Sequence, residues 1–244
     1  MKTRYQRFSV WCGVAFFILF FAVCWPISRF IPPPSPLLTG AELVAMYADH
    51  LFRIRFGIAL GYLAALLLVP WSAVIAIHMM RIEGRYPLMS LIAFGAGIAN
   101  AVAFCIPFMF WAAVFYRPER SAELLQLLND IVWLEFVMLY APFVMQTLAI
   151  AVVGFSDKSK TPTFPRWFCF LSVWVSVLIL PGGLAVFFKT GPFAWNGVFA
   201  FWVPVAAFTV YFASLVPLLF RAIHRLEDNV KYTLSHTVPP GAAV

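Results

Sequence analysis

Three polar side chains in otherwise apolar surroundings are the first candidates for chemistry: Glu135, Gln146 and Asn100. In the stretch "NDIVWLEFVMLYAPFVMQ", Glu135 is the only acid well inside an apolar run, and Leu139, Pro142 and Gln146 follow it. On a helix these positions share one stripe, because offsets of 4, 7 and 11 return to nearly the same angle. A carboxylate in hydrocarbon costs about 2.5 to 3.5 kcal/mol on insertion scales, so Glu135 must face a bundle interior, meet a cation or hold a proton. Two readings follow. Glu135, Gln146 and Asn100 form a substrate or proton site, or Glu135 pairs structurally with an arginine while the two amides act as interhelical hydrogen-bond glue.

A second group is charged. Asp49, His50, Arg53 and Arg55 precede one apolar run, and Arg117 and Arg120 follow another. With Arg29, these arginines are the cations available to Glu135. The cluster has the chemistry to receive an anionic headgroup or substrate through guanidinium hydrogen bonds, or to anchor the chain at an interface. "IHMM" sets His78 beside two thioethers, a contact for copper or simple packing. A single histidine within the apolar runs does not supply bis-histidine haem ligation inside this chain. The four cysteines lack zinc-site spacing and read as small hydrophobes. P-loop, G-x-G-x-x-G and G-x-S-x-G patterns are absent. No cofactor and no metal are expected.

The elements that must position these groups follow from composition. Of 244 residues, 63% are hydrophobic and 11% charged, against about 25% charged in ordinary soluble domains. A membrane-spanning helix needs about 20 mostly apolar residues. Six runs qualify, near 9–31, 56–80, 88–116, 131–155, 167–188 and 198–220, followed by a polar tail at 224–244. They lack the period-two alternation of barrel strands. The expected fold is an all-α six-transmembrane-helix bundle forming one membrane domain over 1–223, with the first run retained as a span rather than cleaved as a signal. Prolines Pro26, Pro70, Pro107, Pro142, Pro181 and Pro204 are expected kinks. Clustered at one depth, such kinks would splay the bundle into an outer cavity.

Two outer segments read as short amphipathic interfacial helices. Thr39 and Glu42 have capping-box spacing, and "RPERSAELLQLLND" carries Pro118 in its expected first turn. At an offset of 81, residues 22–49 match 103–130 at seven of 28 positions, including Cys24 with Cys105, Pro26 with Pro107 and Asp49 with Asp130. That pattern suggests a parallel tandem repeat of helical hairpins.

Lysine and arginine divide eleven against six when the N-terminus is placed inside, so both termini are expected to be cytoplasmic, in a bacterial inner membrane. The net charge of +7 is then topology, and no nucleic acid is expected as a partner. Membrane lipids are the expected partners, with further membrane subunits or a second copy of the chain open. Three functions remain: a small transporter or transporter-like component, a non-catalytic subunit or scaffold, and a lipid-modifying enzyme acting through the outer charges.

Overall fold

Long apolar runs that cannot hydrate their backbone in a bilayer must form helices. The computed structural model describes residues 3–237 and, among these, contains helices and no strand. The helices are α1 (Thr3–Ala22), α2 (Gly40–Ala48), α3 (Leu51–Ala65), α4 (Leu68–Glu83), α5 (Leu88–Tyr116), α6 (Ala122–Val137), α7 (Ala141–Ser156), α8 (Arg166–Ile179) and α9 (Val203–Thr237). A π turn, Val23–Ile27, extends α1; a 3-10 segment, Leu180–Phe187, extends α8; a second π turn, Val198–Trp202, leads into α9. Six runs are long and apolar enough to cross a membrane: Thr3–Ile27, Leu51–Glu83, Leu88–Tyr116, Ala122–Ser156, Arg166–Phe187 and Val198–Asn229. The chain is a multi-pass integral membrane protein.

The spans close into a ring in which α1 packs on α4, α4 on α5, α5 on α7, α7 on α8, α8 on α9, and α9 on α1. Helix α3 continues above α4 against α1 and α5, and α6 continues above α7 against α5. The amphipathic α2 lies on α6 and marks one face of the ring, here the α2 face. The opposite, terminus face carries the start of α1.

Prolines decide where the spans break. Pro26 lies inside the first π turn, Pro70 is the third residue of α4, Pro142 the second of α7, Pro181 the second of the 3-10 segment and Pro204 the second of α9. Pro107 alone of the six sits in an uninterrupted helix, α5. Each proline removes an amide donor and clashes with the carbonyl four residues back, and local bonds take over. Val69 N–H donates to Leu66 O at 3.1 Å, Tyr140 N–H to Met138 O at 2.8 Å, and Ser28 N–H to Val23 O at 2.8 Å.

The capping box at Thr39 is present. Glu42 N–H donates to Thr39 Oγ1 at 3.4 Å, while Thr39 N–H donates to Glu42 Oε2 at 2.8 Å. The Thr39 amide and hydroxyl hold the Glu42 carboxylate below its ordinary value. The box is therefore complete above the ordinary carboxylate range and opens as pH falls through the lowered value.

One expectation changes. The segment after Arg117 is not a separate short helix: Pro118 precedes the N-cap Ser121, and α6 runs unbroken from Ala122 into the fourth span. Helix α2 and the start of α6 occupy matched positions at the offset of 81, and the two paths part after Asp49, where a break separates α2 from α3 while Asp130 lies within α6. Helix α9 continues into the polar tail as far as Thr237, and residues 238–244 lie outside the described part.

The shortest connection between spans, from α4 to α5, is tied by Glu83. Its carboxylate accepts from Met89 N–H at 2.9 Å, from Ser90 N–H at 2.7 Å, and from the Ser90 hydroxyl. An anion at the first amides of α5 satisfies two orphan donors and complements the helix dipole. Glu83→Ala is expected to lower stability by about 1 to 2 kcal/mol in detergent unfolding, with Glu83→Gln intermediate.

Candidate functional site

The amides expected to cooperate do meet. Asn100 Nδ2 donates to Gln146 Oε1 at 3.3 Å, joining α5 to α7. Gln146 Nε2 donates to Ala93 O at 3.2 Å and to Ser72 Oγ at 3.4 Å, drawing in α4. Gly97 makes this convergence fit, because a Cβ there would collide with the Ser72 side chain and lie 2.6 Å from Gln146 Nε2. All three polar side chains are buried, and Asn100 Oδ1 has no hydrogen-bond partner among the described residues. With Trp71, Tyr211 and Phe212 they line a small polar chamber of about 20 Å³, room for about one water.

Toward the α2 face the middle of the ring is open. A cavity of about 100 Å³ is lined by Phe20, Phe136, Tyr140, Ala200, Phe201 and Val205, among others. Its walls come from the proline-linked breaks: the joint between α6 and α7, the end of α8 at Ile179, and the start of α9 at Pro204. Helices that end or unwind here cannot fill the centre.

Phe104, Phe143 and Phe208 line both spaces. Phe104 stands one turn beyond Asn100 along α5, which climbs toward the α2 face. Phe143 and Phe208 precede Gln146 and Tyr211 by three residues on α7 and α9, which descend from it. All three rings thus lie one turn nearer the α2 face than the polar residues. Their centroids are 5.4 Å apart for Phe143 and Phe208 and 6.4 Å for Phe104 and Phe208. Phe16 and Phe20 each pack edge-on to Phe104 at 5.3 Å. The three phenylalanines form an aromatic septum between an open cavity and an occluded chamber.

Glu135 does not join this arrangement. It lines neither space and, among the described residues, forms no ion pair and leaves Oε2 buried without a hydrogen-bond partner. Both expectations that gave it a partner are therefore corrected. The stripe from Glu135 to Gln146 assumed a continuous helix, and the break at Met138–Tyr140 severs it. The arginines expected to reach Glu135 bind neutral acceptors instead. Arg53 Nη2 donates to Pro26 O at 2.7 Å, and Arg55 donates through Nε and Nη2 to Phe115 O at 3.0 and 2.8 Å. Arg120 Nη1 donates to Ala113 O at 3.2 Å, and Arg29 Nη1 lies 2.8 Å from His50 Nε2. Arg117 sits 5.8 Å from the centre of the Tyr116 ring. Asp49 is the C-cap residue of α2 and forms no ion pair among the described residues. The group is a set of donors for helix-end carbonyls more than a single charged cluster.

His78 is buried in α4, where Arg81 Nη1 lies 3.3 Å from its Nδ1. The cysteines are free, and no three His, Cys, Asp or Glu side chains gather at metal-binding spacing among the described residues. Sequence reasoning missed Ser72, the aromatic septum, and the hydroxyl pair Thr147 Oγ1 and Ser176 Oγ, 2.7 Å apart between α7 and α8. Phenylalanine is so abundant here, at 27 residues, that no single one announced itself.

Gln146→Leu removes one side of each bond in the polar chamber and is expected to cost about 1 to 2 kcal/mol in detergent unfolding. Glu135→Gln replaces a half-buried carboxyl group that has no ion-pair partner among the described residues, so stability should change by less than about 0.5 kcal/mol or rise. Searches of family models, curated proteins and solved structures found no match to this chain.

Proposed function

We propose that this protein is a small transporter, or the substrate-binding component of one, handling a neutral solute. The observation that carries the reading is the stacked pair of spaces: an open aromatic cavity above an occluded polar chamber, divided by rings from three separate helices. An aromatic layer of that kind blocks passage until a helix moves, and helices interrupted near prolines provide joints about which such movement can occur. Asn100, Gln146 and Ser72 bring their polar side chains to the chamber wall, and Asn100 Oδ1 is a buried acceptor without a partner among the described residues. Asn100 and Gln146 are the substrate residues in this reading, and Glu135 lies outside the path.

No charged side chain lines either space. An ionic substrate would enter hydrocarbon surroundings without compensation, whereas a small uncharged hydrogen-bonding molecule would not. In this reading both termini are cytoplasmic, following the excess of basic residues on the terminus face, and the membrane is a bacterial inner membrane. The outer cavity then faces away from the cytoplasm.

Light-scattering measurements on proteoliposomes, with glycerol and urea as neutral probes, test the proposal. Phe143→Ala combined with Phe208→Ala should conduct at least one probe faster than protein-free liposomes by about ten-fold or more, a barrier change near 1.4 kcal/mol. Adding Val205→Trp, which fills the cavity, should restore the slow rate. Flux equal to that of empty liposomes for both probes, with the double variant folded, would overturn it.

A further inference from the structure

A lipid-facing groove lies between α3 and α5, outside the ring and separate from both central spaces. It has a volume of about 470 Å³ and runs from Arg55 and Tyr116 down past Ile58, Ala59, Phe108 and Ala112. The two helices are antiparallel here, so Arg55 beside Phe115 marks the end nearest the α2 face. From Arg55 to Leu63, eight residues along α3, the groove extends about 12 Å along the membrane normal. Its floor exists because Gly61 lets the Phe108 ring lie directly on α3, where any Cβ would strike the ring. Ala59 and Ala112 keep the walls low, and Leu63 and Met109, 60% and 58% exposed, form apolar lips.

The upper end of the groove is cationic without a matching anion. Arg55 uses Nε and Nη2 on Phe115 O, which fixes the guanidinium plane across the end of α5. Among the described residues, Nη1 makes no hydrogen bond and the guanidinium joins no ion pair. Arg117, the next residue after Tyr116, is likewise outside any ion pair. A carbonyl satisfies hydrogen-bond directions but does not neutralise charge, so the positive potential remains for a ligand.

The geometry points to a site for one anionic glycerophospholipid, with its phosphate on Arg55 and an acyl chain in the groove below. The charge at one end and the apolar channel leading away from it match the two parts of such a lipid. A soluble phosphate would use only the first part, and a protein helix would place an apolar surface beneath an uncompensated arginine. The inference is independent of the transport reading, because no residue of the groove lines the aromatic cavity or the polar chamber.

The full chain, reconstituted with equal amounts of phosphatidylglycerol and phosphatidylcholine and then released for native mass spectrometry, reports which lipid stays bound. Wild type should retain phosphatidylglycerol over phosphatidylcholine by about five-fold, the ratio expected for one arginine near the surface. Arg55→Gln keeps a donor for Phe115 O but removes the charge, and should bring the ratio close to one, while Arg55→Lys should keep part of the preference. Ala112→Trp fills the groove without touching Arg55 and should abolish the retained lipid, with glycerol 3-phosphate failing to displace lipid from wild type. Equal retention of the two lipids by wild type, undiminished preference in Arg55→Gln, or undiminished binding in folded Ala112→Trp would overturn the assignment. Displacement by glycerol 3-phosphate would instead assign the site to a soluble phosphate.

Discussion

Every backbone donor and acceptor inside a bilayer must find a partner within the protein, and in this chain proline repeatedly removes one. The structure is organised around the replacements. Short local bonds close the breaks at Leu66 and Met138, and Ile31 N–H reaches back to Cys24 O at 2.9 Å. Where no amide is close, a side chain serves: Arg53 takes the carbonyl of Pro26 and Arg55 that of Phe115. Glu83 does the same for amides at the start of α5. The arginine and Glu83 contacts bridge one span to the next, so bonds that satisfy broken or finished helices also hold the ring in register.

The breaks have a consequence at the centre. Because α6, α8 and the first turn of the last span stop or unwind near one level, they leave an open aromatic cavity there, while α4, α5 and α7 run on as regular helices beneath it. Regular helices allow the closer packing that brings Ser72, Asn100 and Gln146 within hydrogen-bond distance. The aromatic septum stands where the two regimes meet. Polarity below and an apolar cavity above therefore share a cause in where the proline-linked joints fall.

Fold class and span count were legible in composition, because a run of about 20 apolar residues admits almost no alternative to a spanning helix. The capping box was legible too, since its two residues lie three apart in sequence and need no tertiary context. Asn100 and Gln146 stood out as polar exceptions, and the two do bond. Glu135 misled for a specific reason: its stripe with Gln146 presumed one helix, and the break before Pro142 rotates the two halves independently. The arginines misled differently. Their charge suggested a carboxylate partner, whereas the unmet demand at their depth was for donors to carbonyl oxygens. Ser72 and the phenylalanine septum depend on which helix faces which, and residue type alone carries little of that.

Phe104, Phe143 and Phe208 stand between the polar chamber and the cavity above it, and the central spaces depend on that seal. Thiol reactivity tests it most directly, in protein whose Cys12, Cys24, Cys105 and Cys169 have been replaced. A cysteine at Val205, on the cavity wall, should react readily with methyl methanethiosulfonate, while one at Ser72 should stay unmodified until Phe143→Ala is introduced. Equal reactivity at the two positions with the phenylalanines intact would contradict the account.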